Sequence, residues 1–146
     1  MENQIAEIEV TYSTNSRVKH KITDSNSAYE LLKSNWNTGA MELQEEFKVL
    51  VLNRANQVLG IYNLSKGGVA GTVVVLKLLF AVALKSNASG IVISHNHPSG
   101  NLNPSETDKQ LTKKIRQASE LLDIKLLDHI IITHLGYYSF NDNGIC

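Results

Sequence analysis

The stretch Ser94-His95-Asn96-His97-Pro98-Ser99-Gly100-Asn101-Leu102-Asn103-Pro104-Ser105-Glu106-Thr107-Asp108 closes an apolar run and opens a polar helix. Just before it, Gly90 leads into apolar residues 91–94, as expected for a short strand buried on both faces. Residues two apart in a strand share a face, about 6.6 Å apart along the chain, so the rings of His95 and His97 can converge on one cation. Pro98 holds His97 extended and withholds a ladder donor, so the strand ends where its side chains face an opening. The carboxyl end of a buried strand is the usual place for a site in an open α/β sheet. The Gly- and Asn-rich turn over 99–104 then delivers Ser105 to a helix N-cap and Asp108 to the first turn. His95, His97 and Asp108 are two imidazoles and a carboxylate, a ligand set suited to a catalytic zinc that keeps its fourth position for water. Each part also has a plainer reading. Histidines one residue apart often meet by chance in a loop, and Ser105-x-x-Asp108 describes an ordinary helix start, with serine capping and a carboxylate favouring the positive end of the dipole. The combination of a histidine pair ending an apolar strand with a carboxylate on the next helix start points to a metal.

Working outward, residues 105–122 form the clearest helix, with Leu111, Ile115, Ala118 and Leu122 at core spacing and Lys113, Lys114 and Glu120 on the wet side. Residues 124–126, 130–133 and 137–140 read as strands, which puts Asp128-His129 at a strand start. That pair either supports the site's ligands or is a hydrogen-bonded structural pair. Upstream, 47–52 and 58–62 read as hairpin strands joined by the polar residues 53–57. Residues 65–68 form a loop, which Gly67-Gly68 allow to be tight. Residues 72–84 read as a helix with Thr72 near the cap, although the valines at 73–75 would also suit a strand. Ser27-Ala28-Tyr29-Glu30 matches a capping box that opens a helix to about Ser34, broken by 35–39. Residues 5–14 alternate Ile5, Glu7, Glu9 and Thr11 against Ala6, Ile8, Val10 and Tyr12, the period of a half-buried strand, and 17–22 can return beside it through the polar turn at 13–16. Strands and helices alternate through the middle, so an α/β fold with a mixed sheet and helices on its faces is expected. With no repeat, low-complexity tract or linker, the chain reads as one domain, residues 1–40 being a lead-in packed on residues 41–146.

Composition narrows the function. The 146 residues carry 14 Lys plus Arg against 14 Asp plus Glu and are 42% hydrophobic, the balance of a globular domain rather than a disordered or fibrous chain. A domain of this length buries about two thirds of its unfolded surface, so the fold needs neither a disulfide nor a structural metal. Zero formal net charge argues against a protein built to grip a phosphate backbone. Trp36, Tyr137 and Tyr138 are too scattered for a base-stacking platform. Cys146, the single cysteine and last residue, excludes an intrachain disulfide framework and the paired cysteines of zinc deaminases, and reads as a bystander. His20 and His134 lie in polar surroundings and read as bystanders. Met1-Glu2-Asn3-Gln4 lacks the order of a secretory signal, and the most apolar stretch, 72–84, is too short for a membrane span and carries Lys77. A soluble cytoplasmic protein is the expectation.

His95-x-His97-Pro98, six intervening residues, then Ser105-x-x-Asp108 resembles the signature of the JAMM (MPN-plus) zinc metalloprotease superfamily. With His97-Pro98-Ser99-Gly100 and Leu127-Asp128-His129-Ile130, residues 43–144 are similar to its bacterial RadC-like branch. The resemblance implies a JAMM/MPN-type, cytidine-deaminase-like mixed sheet flanked by helices, and a zinc ion (Zn2+) held by His95, His97 and Asp108. It assigns Ser105 to stabilising the oxyanion and an upstream glutamate to moving a proton from bound water to the leaving amine. RadC-like chains write that region as Glu-x-Phe before an apolar strand, which selects Glu45 from Glu45-Glu46-Phe47. Glu46 is the rival; in a strand the two face opposite sides, and without the resemblance either is a solvated strand-end charge. The implied function is zinc-dependent hydrolysis of an amide or isopeptide bond in a peptide or protein substrate. Two alternatives stay open: a DNA-repair-associated or DNA-processing protein, suggested by the family's name, and a non-catalytic metal-binding scaffold. Full-length RadC-like proteins carry a helix-hairpin-helix DNA-binding segment in front, for which this chain has no room, so a short form with weak support for DNA contact is expected. The His-Asn-His string at 95–97 is not the nuclease motif of that name, whose residues are spread along the chain.

Overall fold

Seven consecutive buried residues in each of two adjacent strands require cover on both faces of a sheet, and the elements supply it. A computed structural model describes residues 3–14, 19–67 and 73–146. In chain order it contains α1 (Ser25–Ser34), β1 (Glu46–Leu52), β2 (Val58–Lys66), α2 (Leu76–Lys85), β3 (Gly90–Asn96), α3 (Glu106–Leu121), β4 (Lys125–Thr133) and β5 (Gly136–Ser139). The strands form a five-stranded mixed sheet in the order β2-β1-β3-β4-β5. β1 pairs antiparallel with β2 and β3, β3 runs parallel to β4, and β5 returns antiparallel on β4. A parallel pair needs a crossover, and α3 provides it.

All of β1 and β3 is buried because the two sheet faces carry separate apolar layers. Phe47, Val49, Val51, Ile91 and Ile93 pack with Leu79, Phe80 and Ala83 of α2 and Ile115 of α3. On the other face, Leu50, Leu52, Val92, Ile130 and Ile132 pack with Ala28 and Leu32 of α1. Each large side chain so buried contributes about 1.5–3 kcal/mol of transfer free energy.

Several local expectations are corrected. The cap of α1 is Asp24, three residues before Ser27: its carboxylate accepts the Ser27 N–H at 2.7 Å while Ser27 Oγ accepts the Asp24 N–H at 3.1 Å. Ser27 is thus the N3 partner of the box, because an aspartate one turn earlier already satisfies the end of the helix. α2 starts at Leu76; Thr72, the expected cap, lies outside the described residues, as does Gly68 of the expected tight turn. The valines at 73–75 stay non-helical, in keeping with their β-branched stiffness, and Val75 caps with no side-chain bond. β4 is one strand where two were expected. Its register steps from Ile91↔Leu126 to Val92↔Asp128, so Leu127 is an extra, bulged residue and Asp128-His129 lies mid-strand instead of at a start. Leu122, expected in the core, is exposed at the C-cap of α3, while Leu111 and Ala118 are partly buried against the first apolar layer.

Residues 5–14 adopt no strand; Ile5 is 90% and Ile8 87% exposed. Alternation supplies a strand's period, yet a strand also needs an edge to pair with. Of the expected return over 17–22 and the turn at 13–16, residues 15–18 lie outside the described residues. Lys21 instead bridges antiparallel to Gln57, and the His20 carbonyl accepts the Val58 N–H at 2.7 Å, so this segment lies beside the start of β2. Among the described residues no helix is long and apolar enough to cross a membrane.

Candidate metal centre

The end of β3 places the two histidines. His95 stands opposite Phe47 of β1 and beside Ile131 of β4. His97 lies one residue past the strand, where its N–H still donates to the Ile132 carbonyl at 3.2 Å. Their Nε2 atoms face each other at 3.0 Å. Asp108 is the N3 residue of α3 and is held by a reciprocal box: Ser105 Oγ accepts the Asp108 N–H at 3.0 Å, and Asp108 Oδ2 accepts the Ser105 N–H at 2.9 Å. That box turns the carboxylate inward, with Oδ1 3.3 Å from His95 Nε2 and Oδ2 3.3 Å from His97 Nε2.

Glu45 precedes β1 by one residue and shares the parity of Phe47, hence the face of His95; its Oε1 is 3.8 Å from His95 Nε2. Glu46 faces the other way, 3.5 Å from Lys66 Nζ and 3.9 Å from Lys48 Nζ. Ligand atoms of Glu45, His95 and His97 all lie within 4.8 Å of one another, a group able to hold a metal ion. That threesome omits Asp108, yet Asp108 makes the shorter contacts with both rings, so the pocket offers four donor side chains. Ligand atoms sharing a tetrahedral zinc at about 2.0 Å are roughly 3.3 Å apart, which the separations of 3.0 and 3.3 Å match closely.

Hydrogen bonds prepare these donors. His97 Nδ1 lies 2.6 Å from the Asn101 carbonyl, which can only accept, so the ring proton sits on Nδ1 and a neutral ring turns its Nε2 lone pair to the site. The loop that brings Asn101 round bends at Gly100, with φ +85°, where a Cβ would stand 3.0 Å from His134 Cε1. His134 itself pairs with Glu42 at 3.1 Å. Burial pushes the His97 imidazole down, but its bonds to Asp108 and Asn101 outweigh burial and raise it. Burial would raise Asp108, but its contacts with the His95 and His97 rings, the His95 charge and the Ser105 N–H hold it far below the usual carboxylate range. Burial raises Glu45, opposed by the charges of His95 and His97 and reinforced by Asp108. A carboxylate with a raised pKa retains and releases protons nearer neutrality.

Other side chains hold the site from outside. Asn96, between the histidines, points to the opposite face and grips the loop bearing Glu45: its amide donates to the carbonyls of Met41 (2.7 Å) and Gln44 (2.9 Å), and its oxygen accepts the Glu46 N–H at 2.7 Å. Gly67 adds a bond from its N–H to the Glu45 carbonyl at 2.8 Å. His129 Nε2 is 2.8 Å from His95 Nδ1, and His129 Nδ1 is 2.6 Å from Thr112 Oγ1. Burial first, then the charge of His95, pushes His129 well below the usual imidazole range. Sequence reasoning passed over Asn96 and Thr112. The available signals were an amide residue at the end of a fully buried strand and a threonine one helical turn after Asp108, on the helix face that packs inward. Asp128 does not reach the ligands; it accepts bonds from Ser139, Asn141 and the His129 N–H. Trp36 is buried beneath Lys48, Tyr137 stacks on Tyr29 at 4.4 Å and Tyr138 meets Phe140 edge-on, so the three share no platform. Burial pushes the Cys146 thiol up to about 11, which keeps it inert at neutral pH.

Residues 22–145 match the family described as the RadC-like JAB domain. The chain belongs to this family. Its mixed five-stranded sheet flanked by helices is the architecture expected for such a domain. A UPF0758 protein of Flavobacterium johnsoniae is 51% identical over 125 residues, covering 86% of this chain and 53% of the relative. One from Porphyromonas gingivalis is 42% identical over 128 residues, covering 87% and 55%. The UPF0758 protein YfjY of Escherichia coli K12 is 38% identical over 102 residues, covering 70% and 64%. The RadC-like JAB chain thus spans about half the length of the first two of these relatives, and none of the three names states an activity or substrate.

Proposed function

We propose that this RadC-like JAB domain is a zinc-dependent hydrolase that cleaves an amide or isopeptide bond in a peptide or protein substrate with water. The observation that carries the reading is the convergence of four donors: the facing Nε2 atoms of His95 and His97, the Asp108 carboxylate 3.3 Å from each, and Glu45 at 3.8 Å. His95, His97 and Asp108 would hold the ion. A zinc ion bound there would supply a water acidified to a pKa of about 7 and a Lewis acid for the carbonyl.

The chain's own residues supply the rest. Glu45, with its raised pKa and its place beside the ring pair, takes the proton from the attacking water and returns it to the departing nitrogen. Ser105 uses its oxygen to accept the Asp108 N–H, which leaves its hydroxyl proton to donate to the carbonyl oxygen as charge develops there. Asn96 keeps Glu45 in register by fixing the residues on either side of it.

Zinc content after dialysis, measured by elemental analysis on the wild type and His97→Ala, tests the ligand set: stoichiometric zinc in the first and loss in the second are expected, and equal zinc in both overturns it. Turnover of a peptide-amide library by the zinc-loaded protein tests the base. Glu45→Gln should retain zinc and lose about a hundredfold or more in rate, and unchanged turnover removes Glu45 from the mechanism.

A further inference from the structure

A line of buried hydrogen bonds runs from the backbone of α3 to the far side of His95. Thr112 Oγ1 lies 2.8 Å from the Asp108 carbonyl, His129 Nδ1 2.6 Å from Thr112 Oγ1, and His129 Nε2 2.8 Å from His95 Nδ1. The direction of every proton follows from the first acceptor. A carbonyl only accepts, so the single hydroxyl proton of Thr112 is donated to it. The Thr112 oxygen is then the acceptor for His129, whose proton is on Nδ1. His129 is fully buried, stacked on Phe140 at 4.3 Å and edge-on to Phe47 at 5.9 Å, an apolar environment that favours the neutral ring with its one proton already placed on Nδ1. Its Nε2 therefore accepts, His95 Nδ1 donates, and His95 Nε2 carries a lone pair.

We propose that Thr112 and His129 are positioning residues that lock His95 in its Nδ1–H tautomer, aiming its Nε2 lone pair at the cation position alongside that of His97. The inference rests on the reading of His95 as a metal ligand. A second observation points the same way: with the rings so locked, the two Nε2 atoms 3.0 Å apart and the Asp108 oxygens 3.3 Å from each bring three acceptors to one point, a convergence that a shared cation satisfies. The helix start of α3 thereby orients two ligands at once, Asp108 through the capping box and His95 through Thr112, one helical turn further on.

The test uses Thr112→Val, which keeps the shape and removes the hydroxyl, and Thr112→Ser, which restores it. Without the hydroxyl, His129 loses the acceptor for its Nδ1–H; its proton moves to Nε2, and the proton of His95 moves to the nitrogen that faces the metal. Long-range ¹⁵N–¹H correlation spectra of metal-free protein read the His95 tautomer, and calorimetric titration with zinc alone reads the affinity. Expected are an Nδ1–H His95 in the wild type and Thr112→Ser, its loss in Thr112→Val, and zinc binding about 10- to 100-fold weaker in that variant alone. Thermal melts show that the variants are folded. An unchanged His95 tautomer in Thr112→Val, or zinc affinity equal to wild type, overturns the lock. A tautomer that shifts in Thr112→Val as described, beside a wild type that binds no zinc, supports the lock and overturns the metal reading.

Discussion

Asp108 shows how one residue serves two ends, closing the first turn of α3 with one oxygen while presenting both to the ring pair. The motif spacing selects it and the two histidines, and the structure brings their side chains together; Thr112 and Asn96 escape notice because a hydrogen bond to a distant residue leaves no periodic trace. Asp128 has the opposite balance. Burial raises its pKa from the ordinary 3.8, despite bonds from Ser139, Asn141 and His129, with Asp142 adding to the rise. The folded state therefore holds this proton to higher pH than the unfolded chain does. The contribution of Asp128 to stability is best below pH 3.8, declines as pH rises through its raised pKa, and is level above it. In paired thermal melts, wild type minus Asp128→Asn should shift in favour of the wild type as the pH is lowered from 7 toward about 4; a difference that is flat or of opposite sign contradicts the assignment.

At the scale of elements, the site is one unit, β3, a turn and α3, closed by the loop ahead of β1. α3 is legible because its cap, its apolar stripe and its end coincide. β4 is less so: Asp128 and His129 interrupt an apolar run, and a period count takes buried polar residues for the start of a new strand, although both are paired with partners from elsewhere in the chain. Residues 5–14 mislead in the other direction, having a strand's alternation without forming a strand. Ser105 is the hinge of the unit. Ser105→Ala removes the bond from the Asp108 N–H and should cost about 1 kcal/mol, or about 3 °C in melting temperature, measured by circular dichroism on metal-free protein. A loss below the error of the melt would mean that the cap does not hold the helix start.

Across the whole molecule, a cation shared by residues of the β3 end and α3 would tie the sheet to the helix that crosses over it. Zinc that binds the folded chain alone, at about a hundred times its dissociation constant, adds about 2.7 kcal/mol, which raises the melting temperature by about 5–10 °C. A chelator should reverse the gain, and His97→Ala should show none; a wild-type melt indifferent to zinc counts against the centre. From the sequence alone follow the local matters: the strand ahead of the histidines, the capped helix after them, the α/β class and the ligand spacing, since each depends on neighbours within a turn or two. Only the tertiary structure decides that Glu45 rather than Glu46 faces the rings, that Asn96 grips the loop beside it, and that His129 stands behind His95. Those are matters of strand parity and register between segments tens of residues apart, and a linear pattern carries no distance between them.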